Sequence, residues 1–263
     1  MGGISGGHEL TLTGERTLPG VVEENYWFRR HEVAYRAARD AVLAHGPGGP
    51  GGIVLDAGCG EGYGAHLLAS AASARPGGRV VAVDYDAATA GHVRATYPGL
   101  AVLRANLVAL PLAAGGVDAV VCMQVIEHLW DQPGLLAECA RVLRPGGVLV
   151  VSTPNRLTFS PGRDTPLNPF HTRELAAADL AGLLCDAGFE PVWMLGVHHG
   201  PRLAGLDRRH GGSLVAAQIA APAADWDPGL RADVASVTAE DFTVHDGEVD
   251  TSLDLFAVAG RPG

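Results

Sequence analysis

Along the N-terminal quarter of the chain, apolar and aromatic residues from Val22 to Ala44 fall three and four positions apart, the spacing of one helical face. A helix is predicted there, ended by Gly46-Pro47-Gly48-Gly49-Pro50. Beyond that break the pattern changes. Apolar runs of strand length near 52–57, 79–84 and 101–105 alternate with helix-period segments near 62–73 and 87–97. A strand at Val117 to Met123, a helix around Gly134 to Leu143, and a strand at Val148 to Ser152 after the turn Arg144-Pro145-Gly146-Gly147 continue the alternation. A helix near 173–187, a strand near 190–196 and a closing antiparallel strand, Leu253 to Ala259, bring the count of predicted strands to seven. Strands joined through helices predict an α/β fold: a doubly wound, mostly parallel sheet that takes ligands at the carboxyl ends of its strands.

Two segments fall outside this alternation. Residues 153–171 are too long and too proline-rich for an ordinary connection, and they leave the carboxyl end of the fifth strand. The second, His198 to Asp250, reads as a mostly helical or irregular insertion before the last strand. Each is a candidate for a substrate-facing cap, and equally for a packed surface loop. The domain reading is therefore an arm and helix over 1–46, with residues 1–20 extended, followed by one domain over 47–263 with insertions at about 153–171 and 198–250.

Composition narrows the function. With 263 residues, 47% of them hydrophobic, one large domain with elaborations is expected. The formal net charge is −10 and no Lys/Arg block is present, which disfavours a nucleic-acid partner. There is no basic stretch followed by an apolar leader, nor a run near the roughly 20 apolar residues that span a bilayer. A soluble, cytoplasmic protein is expected. Cys59, Cys122, Cys139 and Cys185 lack C-x-x-C spacing and lie within apolar elements, so buried thiols are expected rather than a zinc site or disulfides.

The chemistry centres on Asp56-Ala57-Gly58-Cys59-Gly60-Glu61-Gly62-Tyr63-Gly64 between the first strand and its helix, with Asp84 ending the next strand. A carboxylate there can accept both hydroxyls of a ribose. A dinucleotide loop wants glycine where Tyr63 stands, and Asp56 places negative charge where a pyrophosphate would lie but suits a cationic ligand. A nicotinamide-dependent oxidoreductase is the disfavoured alternative.

Asp-x-Gly-x-Gly-x-Gly resembles the S-adenosylmethionine loop of class I methyltransferases. The resemblance implies a Rossmann-like methyltransferase sheet, an N-terminal helical lid and a substrate-cap insertion before the last strand. It implies a cofactor-binding set of Tyr26, Arg30, Asp56, Gly58, Gly60, Gly62, Asp84, Tyr85, Asn106, Leu107 and Gln124. In it Asp56 helps hold the donor amino group, Asp84 takes the ribose, Asn106 accepts from the adenine amino group, and Gln124 sits beside the methionine moiety. The lid helix would bring Arg30 to the methionine carboxylate and Tyr26 as a hydrogen-bond donor. Glu127-His128 resembles the pair found in quinone-biosynthetic methyltransferases. A sugar or phenol hydroxyl must lose a proton on methylation, and histidine titrates near neutral pH. His128 is the first candidate base and His171 the second; structural roles are the alternatives, with Thr172 capping a helix that Glu174 enters. Relatives of the quinone type bind magnesium through E-x-x-E-H, but position 124 is glutamine, so no metal site is assigned and magnesium stays open.

Leu12 to Thr17, Glu24 to His31, Gln124 to Gln132, Ser152 to Arg156, Ser160 to Glu174, Gly200 to Arg202 and Arg209 to Ser213 together resemble a narrower group, actinobacterial O-methyltransferases of the mycobacterial methylglucose lipopolysaccharide pathway. This implies methylation of a sugar hydroxyl in an oligosaccharide or polysaccharide, the glucose 6-hydroxyl of an α-1,4-glucan, in a groove lined by the two insertions. Trp130, Trp226 and Phe170 are candidates for sugar stacking or for core. A small-molecule acceptor, quinone or polyketide, is the alternative, and a non-catalytic donor-binding partner of glycan synthesis is a third.

Overall fold

The computed structural model describes residues 17–45, 52–73 and 76–263; the expected arm up to residue 16 and the glycine-proline break at 46–50 lie outside them. Its strands are β1 (Ile53–Ala57), β2 (Arg79–Asp84), β3 (Ala101–Arg104), β4 (Val117–Met123), β5 (Leu143–Pro154), β6 (Val192–His199), β7 (Phe242–His245) and β8 (Asp254–Gly260). The helices are α1 (Asn25–His45), α2 (Tyr63–Ser73), α3 (Ala87–Thr96), α4 (Gln132–Val142), α5 (Arg156–Phe159), α6 (Ala177–Asp186), α7 (Pro201–Arg209), α8 (Leu214–Ile219) and α9 (Pro228–Ala235). They surround one sheet of order β3-β2-β1-β4-β5-β8-β6-β7. Strands β1 to β5 pair in parallel, β8 runs antiparallel between β5 and β6, and β7 runs antiparallel on the far edge.

The sheet thus has eight strands rather than the seven expected. The extra one, β7, lies inside the segment read as helical or irregular. Four residues on an edge give too little alternation to register as a strand. Strand β5 also starts earlier than expected, taking Arg144-Pro145-Gly146-Gly147 into its first turns across a register shift opposite Val117 and Ala119. Helix α6 begins only at Ala177, and the Asp179 carboxylate accepts from the Ala176 N–H at 3.1 Å, so Thr172 is not its cap. Cys185 is exposed, whereas the other three thiols are buried as expected.

Alternation along β1 divides the core. Leu55 and Ala57 join the cluster under α4 and α6, and Val54 joins the cluster under α1 and α2. Asp56 must therefore face the α1 side. Helix α1 turns Ala34, Tyr35, Ala38 and Val42 toward the sheet, a stripe of helical period. Tyr35 passes so close to α2 that a Cβ on Gly64 would lie 2.1 Å from its ring, which is why only glycine fits there. A third cluster, Val197, Leu203, Leu206, Leu214, Leu230, Val234 and Phe242, forms around Tyr26 and ties the 198–250 segment to the start of α1.

Candidate active site

The turn from β1 to α2 is fixed from two sides. Gly58 and Cys59 donate their N–H groups to the Val83 carbonyl at 2.8 and 2.9 Å, and buried Glu61 accepts from Tyr63 N–H at 3.1 Å and Tyr97 O–H at 2.9 Å. Gly58, Gly60 and Gly62 take φ of 87°, 52° and 101°. At Gly60 a Cβ would meet nothing within 4 Å, so backbone faces open space in a conformation that side chains rarely adopt. Its N–H donates to Asp84 Oδ2 at 3.1 Å, while Asp86 N–H donates to Oδ1 at 2.9 Å.

Around this turn lies a cleft of about 600 Å³, walled by Gly58, Gly60, Asp84, Tyr85, Asn106, Leu107, Gln124, Val125, His128 and Trp130. Its charged lining is Asp84, Asp86 and Asp131, with no arginine, a field that repels phosphates and favours a cation. Seven of the residues expected to bind the donor therefore meet in one place. Asp56 and Gly62 do not line it. Asp56 is fully buried behind the turn, where Tyr35 O–H donates to its carboxylate at 3.2 Å; burial pushes that carboxyl up to about 7, against the effect of the Tyr35 hydrogen bond.

Tyr26 and Arg30 are not brought to this cleft. Tyr26 is fully buried, its hydroxyl 2.7 Å from His199 Nε2, and His199 Nδ1–H donates to Asp207 Oδ2 at 2.7 Å. Arg30 is buried and forks onto Asp254, Nε to Oδ2 at 2.5 Å with Nη2 on Oδ1, and Nη2 also donates to the Leu253 carbonyl at 2.7 Å. Both side chains are committed to holding α1 against β6 and β8.

A second, smaller cavity of about 210 Å³ shares Gln124 and His128 with the first. Its other walls are Glu24, Trp27, Arg30 and His31 from the α1 side, Glu127 beneath, and Phe159, Asn168 and His171 from the segment after β5. Gln124, at the junction, takes φ +55°, a left-handed conformation that costs about 1–3 kcal/mol in a non-glycine residue and is held by its N–H on the Ser152 carbonyl at 2.8 Å and Nε2 on Ser152 Oγ at 3.0 Å. His128 Nδ1–H donates to the Phe170 carbonyl at 3.0 Å, which in the neutral ring puts the lone pair on Nε2. His171 stands edge-on to it, ring centroids 5.0 Å apart. Its Nδ1–H donates to Glu174 Oε1 at 2.7 Å and its Nε2 accepts from Asn168 at 3.1 Å, so both nitrogens are engaged. Glu127 is buried, accepts from Thr153 O–H at 2.9 Å, and burial pushes its carboxyl up to about 8.

One ligand atom each from Glu127, His128 and His171 lies within 4.8 Å of the others. Magnesium prefers carboxylate and water oxygens. One carboxylate and two imidazoles, one of them engaged at both nitrogens, do not fit it.

The 198–250 segment contributes to neither cavity wall. Of the candidate stacking residues, Trp226 packs within that segment and donates to the Gln218 carbonyl at 3.1 Å, whereas Trp130 is 89% exposed on the rim of the larger cleft and Phe170 is also exposed. Glu24, Trp27 and His31 went unassigned in the sequence, although their spacing of three and four carries them along one helical face.

The family model described as a methyltransferase domain matches residues 55–151. The chain is 58% identical over 258 residues to a probable S-adenosylmethionine-dependent methyltransferase of Mycolicibacterium smegmatis, covering 96% of each chain. It is 56% identical over 259 residues to a probable S-adenosylmethionine-dependent methyltransferase of Mycobacterium tuberculosis, covering 96% of this chain and 90% of that one. Among solved structures, a methyltransferase of Thermotoga maritima superposes with a TM-score of 0.59 at 19% identity, covering 89% of this chain and 92% of that chain, which shows a shared fold.

Proposed function

Because the chain belongs to the S-adenosylmethionine-dependent methyltransferases, with S-adenosylmethionine as methyl donor, we propose that it methylates a sugar hydroxyl of an oligosaccharide or polysaccharide, with the donor in the 600 Å³ cleft and the acceptor in the adjoining 210 Å³ cavity. The observation that carries this reading is the pair of cavities meeting at Gln124 and His128. When bound, the donor supplies an electrophilic methyl group on a sulfonium; the acceptor oxygen gains the methyl as the carbon–sulfur bond breaks and a neutral thioether leaves.

The chain's own residues do the rest. Gly58 and Gly60 let backbone lie against the donor, Asp84 takes the ribose hydroxyls, and Asn106, Leu107 and Tyr85 surround the adenine. The acidic lining keeps the cationic donor favourable, while Asp56 acts from behind the turn. His128 Nε2 receives the acceptor proton, with the Phe170 carbonyl fixing the tautomer. His171, held by Glu174 and Asn168, orients the acceptor side. Placing oxygen, methyl and base within one enclosure supplies the alignment that in-line displacement needs.

The finer reading is the glucose 6-hydroxyl of an α-1,4-glucan in methylglucose lipopolysaccharide biosynthesis. Its support is the group of motifs that resemble that pathway's methyltransferases, together with near full-length identity to the mycobacterial relatives. A quinone-type acceptor is favoured by Glu127-His128 alone, and the polar side chains Glu24, His31 and Asn168 in the cavity wall count against it. The test is transfer from labelled donor to maltohexaose, to its 6-deoxy analogue and to a catechol. Label in maltohexaose and not in the 6-deoxy analogue is expected; label confined to the catechol would overturn the sugar reading.

A further inference from the structure

Helix α1 presents two faces with opposite fates. Tyr26 and Arg30, four residues apart, are anchored in the molecule by His199, Asp254 and the Leu253 carbonyl, the Arg30 guanidinium also bordering the smaller cavity. Trp27 and His31, also four apart but about 100° around the helix, line the smaller cavity together with Glu24 from the turn just before the helix. These three carry unused polar capacity. The Glu24 carboxylate and the Trp27 indole N–H make no hydrogen bond to any described residue. His31 Nδ1 lies 3.3 Å from Thr17 Oγ1, and its Nε2 has no partner among the described residues. Burial, with Arg30 and His128 adding to it, holds the His31 imidazole down to about 4, so the ring is neutral and can give or take a hydrogen bond.

We infer that Glu24, Trp27 and His31 form a recognition subsite for one polyhydroxylated ring of the acceptor, so that the N-terminal helix reads the acceptor rather than the donor. This rests on the proposed assignment of the smaller cavity to the acceptor. The chemistry selects the ligand. Enclosed polar groups without partners disfavour an apolar ring, because binding one would strip their water and return nothing. An unpartnered carboxylate disfavours an anion. A sugar ring meets all three groups: adjacent hydroxyls donate to Glu24, an apolar C–H face lies on the Trp27 indole, and a further hydroxyl pairs with His31 Nε2. Size agrees, since about 210 Å³ is below the roughly 300–1,000 Å³ of pockets for drug-sized ligands and suits a single ring, with the remainder of a chain outside.

The test uses the full chain with Glu24→Gln, Trp27→Leu and His31→Ala. Two readouts are taken: S-adenosylhomocysteine affinity by calorimetry, and KM and kcat for maltohexaose. The expected result is a rise of about tenfold or more in acceptor KM for Glu24→Gln and Trp27→Leu, with donor affinity within about twofold of the parent, as follows from losing a charge-assisted hydrogen bond or a stacking face. Calorimetry also reports folding, because a misfolded variant binds no donor; Trp27→Phe, which keeps a ring face, should then recover acceptor KM. Weakened donor affinity in a folded variant, or acceptor KM unmoved in all three, overturns the inference. If the parent methylates no sugar, the sugar chemistry of both the subsite and the enzyme is overturned. A tenfold KM rise measured with whichever acceptor is methylated would still place acceptor recognition on α1.

Discussion

Tyr35 donates its hydroxyl to the Asp56 carboxylate at 3.2 Å, so a side chain of α1 reaches beneath the glycine turn to the end of β1. Both groups are enclosed, and this hydrogen bond is the influence opposing the burial that raises Asp56 to about 7. Removing it with Tyr35→Phe should raise the Asp56 carboxyl further and leave it protonated at neutral pH. S-adenosylhomocysteine should then bind about 5- to 150-fold more weakly at pH 7, from a loss of about 1–3 kcal/mol, and recover at about pH 9. Calorimetric titration at the two pH values checks this. An unchanged affinity at both would separate Asp56 from donor binding.

The two histidines should not be equivalent. His171 is held by Glu174 and Asn168 on the side of the smaller cavity, whereas His128 lines both cavities where they meet. His128→Ala should lower kcat by about 10²–10⁴ with donor affinity retained. His171→Ala and Glu174→Gln should resemble each other and cost less in kcat. Single-turnover rates under saturating donor decide the matter, and full activity in both histidine variants would move the proton to another group.

Glu127 gives a signed pH prediction. Its carboxyl rises from an ordinary 4.5 to about 8 on folding, chiefly through burial. Between those values the folded chain holds a proton that the unfolded chain has lost. Its contribution to stability is therefore full below about 4.5 and is lost as pH rises toward 8. Asp56 acts in the same sense up to about 7. Below about 6.5 the depressed His31 imidazole works in the opposite sense, so thermal unfolding between about pH 7 and 8 is where Tm should fall with pH, and Glu127→Gln should flatten that slope.

The Arg30–Asp254 pair is predicted to hold structure rather than ligand. Breaking a buried, forked pair on one side strands a charge, so Asp254→Asn should destabilise by about 3–5 kcal/mol. The double replacement Arg30→Met, Asp254→Leu should recover much of that loss. Urea unfolding of the single and double variants measures the coupling, and donor affinity should be retained in whatever remains folded.

How much of the fold is legible in the sequence follows from which periodicities are strong. The alternation of strands and helices from β1 to β5 was legible because each run is long and the glycine turn marks its start. Edge strand β7 was not, since Phe242 to His245 is too short to show a period. In Glu24 to His31 the sequence displays three aromatics beside two arginines but not the rotation of the helix about its axis. Tyr26 with Arg30, and Trp27 with His31, have the same spacing, and only the packing of Tyr26 against Val197, Leu203 and Phe242 decides that Tyr26 is core while Trp27 and His31 face a cavity. The acidic partners that turn Arg30 inward and fix His171, namely Asp254 and Glu174, likewise carry no local signature of their roles.

The opposed faces of α1 also bear on how such an enzyme can change. Residues 26 and 30 are fastened into the body of the molecule, Arg30 at the border of the cavity that 24, 27 and 31 line. Substitution on the cavity face can therefore alter which acceptor is preferred while the anchoring face keeps the helix in register, Trp27 alone of the three also packing against Tyr26 and Arg30. A library randomised at those three positions, with Tyr26 and Arg30 held constant, is where new acceptor preferences should arise most readily, and the separation offers a natural lineage the same freedom.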